Sequence, residues 1–193
     1  MSAVESTMLE LGTKAPDFTL PIVTGGILNF NKYSSRSKGT VIAFICNHCP
    51  YVKHINSALV QIAKSYIQKG VGFIAISSND VERYPQDGPE EMIKTAKEED
   101  YPFPYLYDES QKVAKAYRAA CTPDFYIFDD EAKLTYRGQF DESRPGNGKA
   151  ATGDDLQKAI EAMIARKKPV ENQIPSIGCN IKWKLDNEPD YFG

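Results

Sequence analysis

A buried strand that runs straight into two cysteines is the feature that most restricts how this chain can fold. The apolar run from Thr40 to Ile45 is followed at once by Cys46-Asn47-His48-Cys49. Apolar residues then recur at steps of three and four, the period of an amphipathic helix; they are Val52, Ile55, Leu59, Ile62 and Tyr66. The two thiols are therefore expected at a strand-to-helix turn, where the helix dipole stabilises a thiolate. This placement favours redox chemistry.

Strands and helices alternate along the rest of the chain. Turn-forming residues bracket short apolar pieces between residues 12 and 39, which predicts a hairpin before the main sheet. Val71 to Ser77 predicts a second buried strand, and Gly88-Pro89-Glu90-Glu91 predicts the start of a helix that ends near Asp100. The remaining predicted elements are, in chain order, a strand at 105–107, a helix capped by Ser110 that buries Val113, Ala114 and Tyr117, strands at 125–128 and 134–140, and a helix at 154–167.

This order of elements predicts an α/β fold with a mixed central sheet flanked by helices. Residues 169–193 show no clear period, so we expect an irregular C-terminal tail. Hydrophobic residues make up 41% and charged residues 25% of the 193 residues, which fits a single domain spanning residues 1–193 with a sizeable core.

Charge and hydropathy exclude several function classes. A net charge of −3 gives no general basic field for nucleic acid, and Arg166-Lys167-Lys168 is interpreted as the end of a helix. Neither a leader peptide nor a run of about 18 apolar residues is found, so we expect a soluble, cytoplasmic protein with no membrane partner. Four cysteines are too few for a disulfide scaffold in that compartment, and the oligomeric state stays open.

The element order, the C-x-x-C pair and Thr122-Pro123 together resemble the thioredoxin superfamily over roughly residues 10–168. In that family a cis-proline precedes the last hairpin and packs against the redox pair. The resemblance implies a cis bond before Pro123, since a cis X-Pro bond costs only about 0.5–1 kcal/mol. The backbone of Thr122 would then be free to align an extended substrate, and Pro123 would shape the substrate groove.

The opening segment from Leu11 to Pro21 resembles the alkyl hydroperoxide reductase and thiol-specific antioxidant branch, a peroxiredoxin-like group with an antioxidant role. In peroxiredoxins a Thr-x-x-Cys-Pro segment holds the peroxidatic cysteine. Here Cys46, Cys49 and Pro50 stand at its threonine, cysteine and proline positions. The threonine that would position a peroxide is thus missing, which favours thiol-disulfide exchange.

A second departure concerns an arginine that peroxiredoxins carry near the place of Pro123, where its cation helps to hold thiolate and peroxide. This chain has proline there, which again favours exchange over peroxide reduction. Arg118 and Arg137 are the candidate substitutes for that arginine.

The resemblance to thioredoxin implies a role for each residue of the motif. Cys46 would be the solvent-facing thiolate that attacks a substrate disulfide, and Cys49 would attack the mixed disulfide to release the product. An imidazolium at His48 would favour the reduced state, so we expect a potential less reducing than thioredoxin's roughly −270 mV. No bound cofactor is required.

The proton acceptor for the second thiol is not evident from the sequence. Thioredoxins often have a buried acid six positions before the first cysteine, where this chain has Thr40. Water, His48 or an acid from elsewhere, such as Asp80 or Glu82, would have to take the proton.

Cys121 and Cys179 have two interpretations each. A free cysteine is commonly a small buried apolar residue. Alternatively, Cys121, which precedes Thr122-Pro123, and Cys179 in the tail would be accessory or resolving thiols for the redox pair. The sequence gives no sulfur separation with which to decide.

The sequence hypothesis is therefore a thiol-disulfide oxidoreductase acting on protein or small-molecule disulfides with a thiol electron donor. One alternative is a thiol peroxidase that forms sulfenic acid at Cys49. The non-enzyme alternative is a copper or zinc carrier, since Cys46, His48, Cys49 and His54 offer suitable ligands, although no metal site is assigned.

Overall fold

A mixed five-stranded sheet forms the centre of the protein, and the computed structural model describes residues 3–192. The strands are β1 (Ala3–Glu5), β2 (Thr19–Pro21), β3 (Ile27–Asn29), β4 (Gly39–Phe44), β5 (Gly72–Ser77), β6 (Tyr105–Tyr107), β7 (Cys121–Thr122), β8 (Asp124–Asp129), β9 (Leu134–Gly138) and β10 (Ile177–Asn180). The helices are α1 (Phe30–Ser34), α2 (Pro50–Gln68), α3 (Pro89–Glu98), α4 (Lys112–Ala116) and α5 (Asp154–Ile164). The fold class predicted from the sequence is confirmed.

The strand order of the central sheet is β6-β5-β4-β8-β9. β4 pairs parallel with β5 and antiparallel with β8, so the strand that leads into the two cysteines has a neighbour on both sides. All six residues of β4 are buried. Strands covered on both faces are continuously apolar rather than alternating, which explains the run seen in the sequence.

Two apolar clusters cover the two faces of the sheet. Val41 and Ala43 of β4 point into one cluster with residues of α2, α3 and α5. Ile42 and Phe44 point into the other, which includes residues of the predicted β2–β3 hairpin, α1 and α4. Successive side chains of a strand alternate between faces, so β4 contributes to both halves of the core.

The tail is more regular than expected. β10 lies in a separate three-stranded sheet of order β1-β10-β7. Cys179 stands opposite Thr122, and Asn180 opposite Cys121. The expectation of an irregular tail is therefore wrong for residues 177–180. A four-residue strand that lies between strands of three and two residues leaves too few positions for a recognisable period.

Several boundaries also differ from the predictions; the strand predicted at 134–140, for example, ends at Gly138. Ser110 is not the cap of α4; the cap position is Gln111, and the Asp108 carboxylate accepts a hydrogen bond of 2.9 Å from the Ala114 N–H. α5 ends at Ile164 rather than Lys167, because Arg166 adopts a left-handed backbone conformation with φ of 52°. In residues 3–192 we find no helix with the length and apolar character of a membrane span.

Candidate active site

The end of β4 and the start of α2 hold the two cysteines. Ile45 is still bonded to the sheet through its N–H, 2.9 Å from the Ile76 carbonyl oxygen. Cys49 is the N-cap residue of α2 and Pro50 is its first residue, a position that suits proline because no N–H is needed there. The predicted strand-to-helix turn is therefore present, with both thiols free.

Both sulfurs lie beneath the protein surface. Cys46 is 1% exposed and Cys49 is fully buried. The expectation of a solvent-facing Cys46 is therefore wrong, because His48, Asp87 and Thr122 lie against its sulfur. A substrate must displace covering side chains before it reaches either sulfur.

The Thr122-Pro123 segment contacts both cysteines. Its peptide bond is cis, as the resemblance implied. The Thr122 hydroxyl lies 3.5 Å from Cys46 Sγ, and the Thr122 carbonyl oxygen lies 3.1 Å from Cys49 Sγ. The Thr122 hydroxyl can thus hydrogen-bond to Cys46, and the Thr122 carbonyl oxygen accepts a hydrogen bond from Cys49 when that thiol is protonated.

The negative charge of the reduced pair is stabilised at Cys49. The hydrogen bond from the Cys46 thiol lowers the pKa of Cys49 to about 5 against the opposing effect of burial, and the hydroxyl of Thr122 and the N–H groups of Val52 and Cys179 contribute in the same direction. The Val52 N–H belongs to the first turn of α2, where N–H groups have no partner within the helix.

The proton stays on Cys46. Its hydrogen bond with Cys49, its burial and the nearby Asp87 carboxylate all raise the pKa of Cys46 well above the usual value. Two coupled thiols titrate as a pair. Here the donors around Cys49 and the Asp87 carboxylate near Cys46 place the first negative charge on Cys49.

Asp87 is the acid that the sequence analysis missed. Its buried carboxylate accepts hydrogen bonds from the N–H groups of Asn47 and His48, at 2.9 and 3.2 Å, and from Asn79 Nδ2 at 2.8 Å. His48 Nδ1 lies 2.6 Å from Asp87 Oδ2, the oxygen that also accepts from Asn79. This one side chain therefore fixes both the backbone of the C-x-x-C turn and the imidazole.

No periodicity could reveal Asp87, because it lies in a 3₁₀ turn, Pro85–Asp87, between β5 and α3. The acids proposed from the sequence have other surroundings: the Asp80 carboxylate accepts from the N–H of Glu82, which is exposed. The one sequence signal for Asp87 was its position directly before Gly88-Pro89, at the predicted start of a helix.

His48 is held between an acid and an aromatic ring. Its ring stacks on Tyr84, with centroids 5.7 Å apart and planes 5° from parallel. Nδ1 lies 4.0 Å from Cys46 Sγ as well as facing Asp87. His48 thus lies at the pair as predicted, but its orientation is set by Asp87.

The two arginines lie elsewhere. Arg137 is buried, with Nη2 3.1 Å from the Asp124 carboxylate and 2.7 Å from the carbonyl oxygen of Arg118. The Arg118 guanidinium lies over the ring of Tyr191. Arg137 thus forms an ion pair with Asp124, and Arg118 contacts Tyr191 of the C-terminal tail.

The two remaining cysteines differ in what they touch. Cys179 is buried in the same apolar cluster as Cys49, and Cys49 contributes to the raised pKa of Cys179. Cys121 is also buried, but its sulfur faces the carbonyl oxygens of Pro123 and Ser176, at 3.5 and 3.9 Å. The structure therefore brings Cys179 to the redox pair, whereas Cys121 is directed at backbone groups.

Metal ligation would involve Asp87 rather than His54. Atoms of Cys46, His48 and Asp87 lie within 4.8 Å of one another. However, Asp87 Oδ2 already receives Asn79 Nδ2 and faces His48 Nδ1, so its lone pairs are used within the protein. A metal would have to break these hydrogen bonds, which disfavours the carrier alternative.

Comparison with known proteins agrees with this geometry. The chain matches the AhpC/TSA family over residues 11–137. An uncharacterised conserved protein from Geobacillus kaustophilus is 55% identical, with a TM-score of 0.92 over 96% of this chain and 98% of that one. A hypothetical protein from Sinorhizobium meliloti 1021 is 46% identical, with a TM-score of 0.91 over 94% of this chain and 98% of that one.

A more distant structure bears on the fold alone. The thioredoxin domain of a thiol-disulfide oxidoreductase from Bacteroides vulgatus is 19% identical, with a TM-score of 0.63 over 81% of this chain and 99% of that one. No curated protein sequence matches the chain.

Proposed function

Because the chain belongs to the AhpC/TSA family, we propose that it is a thiol-disulfide oxidoreductase whose working pair is Cys46 and Cys49. Family and fold together support a thioredoxin-like redox function. The finer assignment rests on one observation: two free thiols lie at the start of a helix, and both contact Thr122 of a cis-proline segment.

We assign the attack on substrate to Cys49, because this sulfur holds the charge. The Cys49 thiolate attacks one sulfur of a substrate disulfide, and the other substrate sulfur leaves as a thiolate. Cys46 then attacks Cys49, forms the Cys46–Cys49 disulfide and releases the second product thiol. This order reverses the roles implied by the resemblance to thioredoxin, in which Cys46 was expected to face solvent. The cytoplasmic location stays a prediction.

The experiment compares single variants in reduction of oxidised glutathione. Cys49→Ser should be inactive, because no nucleophile is left at that position. Cys46→Ser should accept one glutathione on Cys49 and form no Cys46–Cys49 disulfide. Adduct formation on Cys46 in the Cys49→Ser protein, with turnover retained, would contradict the proposed order of attack.

A thiol peroxidase is the second candidate, because Cys49 combines the stabilised thiolate with the position of the peroxidatic cysteine. The complete burial of Arg137 and its ion pair with Asp124 count against it, since a peroxide would have to reach a buried guanidinium. Rapid consumption of hydrogen peroxide by Cys46→Ser that is lost in Cys49→Ser would favour the peroxidase. Slow consumption by both variants would favour exchange.

A further inference from the structure

β10 carries a third sulfur to the redox pair. Cys179 is paired across the strands with Thr122, whose carbonyl oxygen is 3.1 Å from Cys49 Sγ. Cys179 is 4% exposed and packs in the same apolar cluster as Cys46 and Cys49. The Cys179 N–H is among the groups that lower the pKa of Cys49, and Cys49 in turn raises the pKa of Cys179. Cys49 therefore has a thiol neighbour in the motif and another in the tail.

The close approach of β10 depends on Gly178. A Cβ atom at this position would lie 2.0 Å from the carbonyl oxygen of Thr122, closer than any side chain tolerates. Glycine therefore lets the tail strand lie directly against the segment that contacts both redox cysteines. The contact of Cys179 with Cys49 follows from this backbone arrangement.

We propose that Cys179 is a second resolving thiol, which competes with Cys46 for an oxidised Cys49. The proposal rests on the proposed function, since it requires substrate to be attached at Cys49. It adds a disulfide between Cys49 and Cys179 to the one expected within the motif.

The chemistry needs only the substrate disulfide as oxidant. Attack by Cys49 breaks the substrate disulfide, forms a mixed disulfide and releases one product thiolate. Cys179 gives its proton to solvent, and its sulfur attacks Cys49, so that a Cys49–Cys179 bond forms and the second product leaves as a thiolate. Two protein thiols are oxidised and one substrate disulfide is reduced. Cys46 can then displace Cys179 from Cys49 by a further exchange with no net oxidation.

The reactivity of Cys179 depends on whether Cys49 carries a charge. Burial and the hydrogen bond with Cys49 raise the pKa of Cys179 to about 12. A mixed disulfide carries no charge on Cys49, so that part of the effect disappears when substrate is attached. Cys179 is therefore a poor nucleophile in the reduced protein and a better one in the mixed disulfide.

The test uses Cys46→Ser, which lacks the competing thiol. The full-length variant is treated with oxidised glutathione, quenched with acid, and mapped by mass spectrometry of its peptides without reduction. We expect the adduct on Cys49 to give way to a Cys49–Cys179 disulfide. In Cys46→Ser/Cys179→Ser the adduct should persist for at least about a hundredfold longer, because an intramolecular thiol acts at high effective concentration.

Two controls keep the outcomes distinct. Cys46→Ser/Cys121→Ser retains Cys179 and removes a buried cysteine of similar size, so it should behave like Cys46→Ser. The conversion in Cys46→Ser should also accelerate from pH 7 to pH 9, which a merely structural Cys179 would not produce. A stable adduct on Cys49 beside a free Cys179 would overturn the inference alone. Failure of any adduct to form on Cys49 would overturn the inference and the proposed function together.

Discussion

At the scale of single residues, the charge on Cys49 follows from the donors around its sulfur. The Cys46 thiol, the Thr122 hydroxyl and the N–H groups of Val52 and Cys179 favour the thiolate, while burial opposes it. We expect the absorbance of reduced protein at 240 nm to show one thiolate forming with a midpoint near pH 5. The oxidised protein should lack this step. A first midpoint between about pH 8 and 9, as for an ordinary cysteine, would contradict the assignment.

The sign of the accompanying stability change follows from the same pKa. The pKa of Cys49 is lower in the folded protein than in the unfolded chain, so its thiolate stabilises the fold at and above pH 9. This contribution is lost as the pH falls from about 9 to about 5. A pair of Cys46 variants provides the control: Cys46→Ala removes the hydrogen-bond donor and should raise the pKa of Cys49 more than Cys46→Ser, which keeps a hydroxyl.

Asp87 makes a second prediction at this scale. In Asp87→Asn one acceptor oxygen becomes an NH₂ group that cannot accept from the donors around it. Because a buried polar group without a partner is costly, we expect the free energy of unfolding in urea to fall by about 1–3 kcal/mol. Asp80→Asn is the matched control, since Asp80 is also buried but its carboxylate accepts from the N–H of Glu82. Its free energy of unfolding should fall by less. Equal losses would contradict a special role for Asp87.

Secondary-structure elements were predictable where a single period governed a long segment. β4 and α2 have continuous apolar burial and steps of three and four, and the sequence placed both within a residue or two of their ends. β10 could not be predicted, because it is held by pairing with β1 and β7, which are far away in sequence. The candidate site divides in the same way: the cysteines, His48 and Thr122-Pro123 were evident as local motifs, whereas Asp87 reaches the turn only through tertiary structure.

Gly178→Ala tests how closely β10 must approach the redox segment. The added methyl group would meet the Thr122 carbonyl oxygen, so we expect β10 to shift and the free energy of unfolding to fall by about 1–3 kcal/mol. Gly148→Ala is the control, because its Cβ would meet nothing within 4 Å and its cost of about 1 kcal/mol comes from its φ of +75° alone. A Gly178→Ala protein as stable as the control would show that β10 is loosely held.

At the scale of the whole molecule, burial of the redox pair predicts that substrates gain access by local opening. A cavity of about 20 Å³ beside Tyr51, Pro123 and Ile177 has room for about one water molecule, not a disulfide. A wider cavity of about 810 Å³ lies by Lys38 and Asp129, at the opposite end of β4 from the cysteines. The larger opening therefore cannot serve the redox pair.

We accordingly expect a bulky aromatic disulfide reagent to modify the native reduced protein at least about a hundredfold more slowly than it modifies free glutathione, since local opening must come first. Urea below the unfolding transition should accelerate the reaction. Modification of Cys46 or Cys49 at the rate of a free thiol would contradict the closed structure.

The central claim is that Cys46 and Cys49 form a reversible disulfide. The most direct test equilibrates the protein in glutathione buffers of graded potential, quenches with acid, and maps the linked peptides by mass spectrometry. We predict one two-electron transition that joins Cys46 to Cys49, with a midpoint less reducing than roughly −270 mV because the stabilised thiolate favours the reduced form. If the two cysteines stayed free, or each carried only glutathione over the whole range, the account would be contradicted.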